Sequence, residues 1–196
     1  RPRQGKLIRD IQSRMGFEGR TIRIADKGLN CARNIHEALK DGDGYLYSKS
    51  VKTLPEQELA WIFNDQDYRE VRDKEGHILY AYKSCIDTFS YSYRDESGQT
   101  IRFSIDEKRI VTYNPSLGKK QREEIKRQVD KARTLCHSQV KRENFGDKAK
   151  YLVFEGTDED GELSSKNVAV SMNQDLIDKH LRLAGYNLLV CSERKM

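Results

Sequence analysis

The chain has 196 residues, room for one ordinary domain or a domain with a large insertion. Charged residues make up 34% and hydrophobic ones 36%, yet ten Tyr and six Phe argue against a wholly disordered chain. The net charge is +5 and unevenly spread: residues 1–25 carry +5, residues 116–150 carry +6, and the remainder carries −6. Two basic segments on a slightly acidic body suit a polyanionic partner such as nucleic acid, although Lys- and Arg-rich helices are often simply solvated. No apolar run approaches the roughly 18 residues of a membrane span and no signal peptide is visible. A cytoplasmic protein without a membrane partner is therefore expected. The chain begins with Arg1, not Met, and reads as a piece of a longer frame.

In chain order, Leu7, Ile8, Ile11 and Met15 fall at helical spacing over Lys6 to Met15, and Gly16 and Gly19 end that helix. Thr21 to Ala25 is a short β-branched run that predicts a strand, followed by an Asp26-Lys27-Gly28 turn. Asn30 is placed to cap a helix over Cys31 to Leu39, closed by Asp41-Gly42-Asp43-Gly44, and Tyr45 to Ser50 is the next strand. Strand, helix and strand at this spacing predict a βαβ unit with parallel strands. The pattern then changes. A short helix is expected over Pro55 to Phe63, and an antiparallel meander from Glu70 to Tyr113, with strands His77 to Tyr93, Gln99 to Ile105 and Lys108 to Tyr113. Leu117 to Arg142 reads as a long polar helix whose apolar stripe is Ile125, Val129, Ala132 and Cys136. Strands at Tyr151 to Glu155 and Val168 to Met172, a helix capped by Asn173 and ending at Leu183, and a strand from Tyr186 to Cys191 complete the chain.

The four cysteines, Cys31, Cys85, Cys136 and Cys191, are widely spaced and form no C-x-x-C pair, so free thiols are expected. His36, His77, His137 and His180 are scattered and predict no metal site. Trp61 sits beside Leu59 and Phe63 and reads as core packing. Tyr80 with Tyr82, and Tyr91 with Tyr93, alternate as a strand face should, which reads as sheet packing. Asp26 is the sharpest candidate for chemistry. It follows an apolar strand at the carboxyl edge of a parallel pair, where a carboxylate is well placed for a hard cation; it is also where a simple turn Asp would stand.

The stretch Thr21-Ile22-Arg23-Ile24-Ala25-Asp26-Lys27-Gly28-Leu29-Asn30, followed by Asn34-Ile35 and Gly42-Asp43-Gly44-Tyr45, resembles the second-aspartate region of DDE transposases of bacterial insertion sequences, the IS-four-like superfamily. The stretch Ala184 to Glu193 is similar to the last strand of the β-rich insertion in those enzymes. The resemblance implies an α/β (α+β) fold: a partial RNase H-like core, βαβ, over residues 1–51, a large β-rich insertion over 52–192, and a segment at 193–196 leading to a catalytic helix. It also implies an active site of two aspartates and a glutamate binding two Mg²⁺ or Mn²⁺ ions. Asp26 would be the second aspartate and a metal ligand, and the first would precede residue 1. The Tyr-Arg-Glu-Lys type signature of the glutamate helix does not occur in this chain. Leu189 stands where its arginine would fall if Tyr186 opened it, so Glu193 receives no role.

The function expected is DNA transposition, by metal-dependent cleavage and joining of transposon-end DNA in an intact, homodimeric enzyme without a small-molecule cofactor. This chain alone is expected to be inactive. The alternatives are a basic DNA-binding module without chemistry and a decayed remnant. Lys119, Lys120, Arg122, Lys126, Arg127, Lys131 and Arg133 form the expected DNA-backbone contact, salt-sensitive and without sequence choice.

Overall fold

The β-branched run after Thr21 forms strand β1 (Ile22–Ala25), and Gly44–Lys49 forms β2 beside it, parallel, with Ile24 opposite Leu46. Between them runs helix α1 (Ala32–Lys40), which buries Asn34, Ile35 and Ala38 on one face. Gly42, at φ 77°, turns the chain out of the helix, and its N–H bonds to Leu39 O at 3.1 Å. The expected βαβ unit is therefore present, with one local difference: Cys31, not Asn30, occupies the cap position, and it makes no side-chain cap bond. Asn30 instead donates to Ser48 O at 3.0 Å, tying the β1–α1 turn to the end of β2. The computed structural model describes residues 10–11, 13–16, 19–135, 142–157 and 163–194. The expected first helix falls partly outside the described residues, and Asp10, Ile11 and residues 13–15 are helical.

Helix α2 (Glu56–Phe63) leads into strands β3 (Arg69–Arg72), β4 (Ile78–Arg94) and β5 (Thr100–Tyr113), an antiparallel meander as expected. Its attachment is not as expected. Strand β8 (Tyr186–Cys191) pairs antiparallel with β2 on one side and with β5 on the other. The result is one six-stranded sheet in the order β1-β2-β8-β5-β4-β3, so the meander is not separate from the sheet that holds the βαβ unit. The reason lies in β8. Leu188, Val190 and Cys191 are 1%, 0% and 3% exposed, and a strand this apolar is stable only with both edges paired and one face covered.

By register and alternation, Arg23, Tyr45, Tyr47, Leu188, Val190, Glu107, Arg109 and Val111 share one face. All are buried. The other face leaves Ile24 75% and Ile86 53% exposed.

Residues 114–185 form a second compact unit, entered from Tyr113 and left at Tyr186, which pair with each other across β5 and β8. It contains helix α3 (Pro115–Leu135), a 3-10 stretch (Arg142–Tyr151), the antiparallel pair β6 (Leu152–Thr157) and β7 (Leu163–Met172), and helix α4 (Gln174–Leu183). Its core is Val129, Ala132, Tyr151, Leu152 and Ile177. Asn173 caps α4 as expected, accepting from Leu176 N at 3.1 Å. The compact units are thus 1–113 with 186–196, and 114–185, so neither boundary falls after residue 51.

Arg23 anchors the start of the sheet. Its guanidinium is buried and donates to Asp43 Oδ2 from Nε at 2.9 Å and from Nη2 at 2.7 Å, and to Asp41 at 2.5 Å. Burial of Asp43 disfavours its charge, but hydrogen bonds from Thr21 and Arg23 outweigh this and hold its carboxyl below the usual range. A depressed carboxyl contributes stability that is present above its unfolded pKa, about 3.9, and is lost as pH falls through the folded value. Asp43→Asn is expected to cost about 2 kcal/mol near neutral pH. The variant should also lose less stability than the parent as pH falls below about 4, as read by urea unfolding.

Candidate catalytic edge

Asp26 follows β1 directly and is exposed at the carboxyl edge of the parallel pair. Its backbone O accepts from Leu29 N at 3.0 Å, which fixes the turn, and its Oδ1 accepts from Lys27 N at 2.6 Å. Lys27 Nζ reaches Asn187 Oδ1, at the start of β8, at 3.3 Å. The edge is therefore built from the carboxyl ends of β1 and β2 and the amino end of β8. Asp26 Oδ2 has no hydrogen bond or ion pair among the described residues, which leaves it open as a single ligand to a hard cation.

Glu193 lies at the opposite edge. Ser192 N donates to Tyr45 O at the start of β2, and Glu193 pairs with Arg20, just before β1. A Cβ on Gly44 would stand 2.5 Å from Glu193 Oε1. From Arg20 to Asp26 the extended chain spans roughly 20 Å, so the two carboxylates do not share a metal. Two ions roughly 3.5–4 Å apart need several convergent carboxylates. The described residues offer one at this edge and by themselves do not make a two-metal centre.

The basic helix is present, as Pro115–Leu135. Lys119, Lys120, Lys126, Arg127, Lys131 and Arg133 are exposed. Arg122 is not on that surface: it is half-buried, with Nη1 3.5 Å from Ala184 O, because its position shares the face of Gly118, Ile125 and Val129. Arg127 pairs with Glu124 at 2.8 Å on the surface.

The other candidates resolve differently. His36 bonds Tyr93 Oη at 2.8 Å and stacks on Phe103, and His180 bonds Tyr151 Oη at 3.1 Å. The β3–β4 turn brings Asp73, Glu75 and His77 together, with Asp73 Oδ1 accepting the Glu75 and His77 backbone N–H groups. Cys31, Cys85 and Cys191 are free thiols; Cys136 and His137 lie outside the described residues.

Two features escaped the sequence. Glu107 is 0% exposed and accepts from Tyr45 Oη at 2.6 Å, Tyr91 Oη at 2.7 Å and Arg109 Nε at 2.8 Å. Trp61 is half-buried and lines a cavity rather than the core. The alternation of Glu107 and Arg109 with Val111 along β5 was the available signal for the first. No helix among the described residues is long and apolar enough to cross a membrane. Comparison with protein-family models, with curated proteins and with solved structures finds no match.

Proposed function

We propose that this chain is part of a DDE transposase with an RNase H-like core, which cleaves and joins DNA by phosphoryl transfer in the intact protein. Asp26 supplies one carboxylate to a site that binds Mg²⁺ or Mn²⁺. The observation that carries this reading is the position of Asp26 on an edge strand. Among the described residues β1 pairs with β2 on one side only, and no strand lies along its other edge. A further strand paired there would lie about 4.8 Å away, bringing a carboxylate of its own within metal-sharing distance of Asp26. The second reading, a DNA-binding module without chemistry, is favoured by the six exposed cations of α3 alone.

The test uses the intact protein and the isolated chain side by side. The intact protein should cut transposon-end DNA in Mg²⁺. Asp26→Asn should abolish cutting while leaving melting temperature and DNA affinity unchanged. The isolated chain should bind DNA without nicking it. Cutting that survives Asp26→Asn would overturn the catalytic assignment, and an intact protein that binds DNA but never cuts it would leave the module reading.

A further inference from the structure

A cavity of about 390 Å³ lies between α2 and the middle of β4 and β5, within the size range of small-ligand pockets. Its lining includes Glu58 and Trp61 from α2, Cys85, Asp87 and Phe89 from β4, and Arg109 from β5. The wall already holds one guanidinium. The Arg109 guanidinium carbon lies 3.2 Å from the Phe89 ring centroid, and the group is held by Glu107 and Glu58. This is the arrangement by which an aromatic face and carboxylates together bind a planar cation.

The rest of the cavity repeats those elements; at its aromatic wall Lys83 Nζ, which donates to the Asn64 carbonyl, lies 5.2 Å from the Trp61 ring centroid. Glu58 turns Oε2 to Arg109 and to Lys49 at 3.9 Å, while its Oε1 has no partner among the described residues. Asp87 Oδ1 accepts from Thr88 N at 2.7 Å, and its Oδ2 is likewise open. The Trp61 indole provides a second aromatic surface. Among the residues that line the cavity, Glu58 and Asp87 outnumber Arg109, so the charge of the lining opposes an anion. The geometry points to a binding site for a small planar organic cation, an amidinium or guanidinium, that stacks on Trp61 and donates to Glu58 and Asp87. This site is separate from the Asp26 edge and does not depend on the proposed phosphoryl transfer.

Two reporters are built in. Trp61 is the single tryptophan of the chain, and Cys85 is a thiol in the wall. Benzamidinium should change Trp61 emission saturably and slow alkylation of Cys85, read peptide by peptide, with the same half-saturation. The neutral isostere benzamide should bind at least about tenfold more weakly, and Asp87→Asn, an exposed change that leaves the fold intact, should weaken benzamidinium by about tenfold. Equal binding of benzamide and benzamidinium would overturn the proposal, leaving an apolar cavity without choice of charge. So would a Cys85 alkylation rate that benzamidinium does not alter, or an Asp87→Asn variant that binds as the parent does.

Discussion

Arg109→Met is expected to destabilise the fold by about 3–5 kcal/mol, against a total of about 5–15 kcal/mol for a domain of ordinary stability. Glu107 is fully buried and has three donors: Tyr45 Oη from β2, Tyr91 Oη from β4, and Arg109 Nε from its own strand. Burial, then the charge of Glu107, pushes both tyrosine hydroxyls above their usual range, so each remains a neutral donor. Arg109 is therefore the one cation in contact with Glu107 among the described residues, and removing it leaves a carboxylate in a dry site with two hydroxyls. The double variant Arg109→Met with Glu107→Gln should recover a large part of the loss, because the uncompensated charge is gone. Urea unfolding of the two single variants and the double variant measures this coupling. A single-variant cost below about 1 kcal/mol, or strictly additive costs, would show that the pair does not act as a buried ion pair.

That network also shows where sequence reading stops. The βαβ unit was legible because each of its parts is local: an apolar strand, a helix with Asn34, Ile35 and Ala38 on one face, and a glycine turn. The strand Tyr186–Cys191 and the Asn173 cap were legible for the same reason. Asp106-Glu107 reads as a break between the strands Gln99 to Ile105 and Lys108 to Tyr113, yet β5 runs unbroken through it, because Glu107 is satisfied by partners 16 and 62 residues away. Those partners are invisible to periodicity. The same holds for β8, which returns after 72 residues to separate β2 from β5 and so joins the meander to the βαβ sheet. Asp26 was legible as a strand-end carboxylate. The cavity beside Trp61 was not, since its walls come from one helix and two strands that only the folded sheet brings together.

Replacing Lys119, Lys120, Lys126 and Arg127 with Gln should weaken binding to duplex DNA and flatten its salt dependence. Each neutralised phosphate contributes roughly −0.9 to the slope of log K against log salt, so four contacts would remove up to about 3.6. All four side chains are exposed on α3, and Val129 and Ala132 turn the opposite side of that helix into the core of its unit. From Lys119 to Arg133 the helix rises about 21 Å, or some six base-pair steps along a duplex. The loss should be about equal on all sequences, because phosphate contacts position a protein without specifying bases. Arg122→Gln serves as the internal control. Its side chain reaches the Ala184 carbonyl, so it should leave the slope unchanged and act on stability alone. The opposing reading is that α3 is a solvated brace, and Glu123, Glu124 and Asp130 among the cations favour it, as does the surface pair Arg127–Glu124. A quadruple variant with the parent's slope and affinity would establish the brace; a flattened slope beside an unchanged Arg122→Gln would place the phosphate backbone on the outer face of α3.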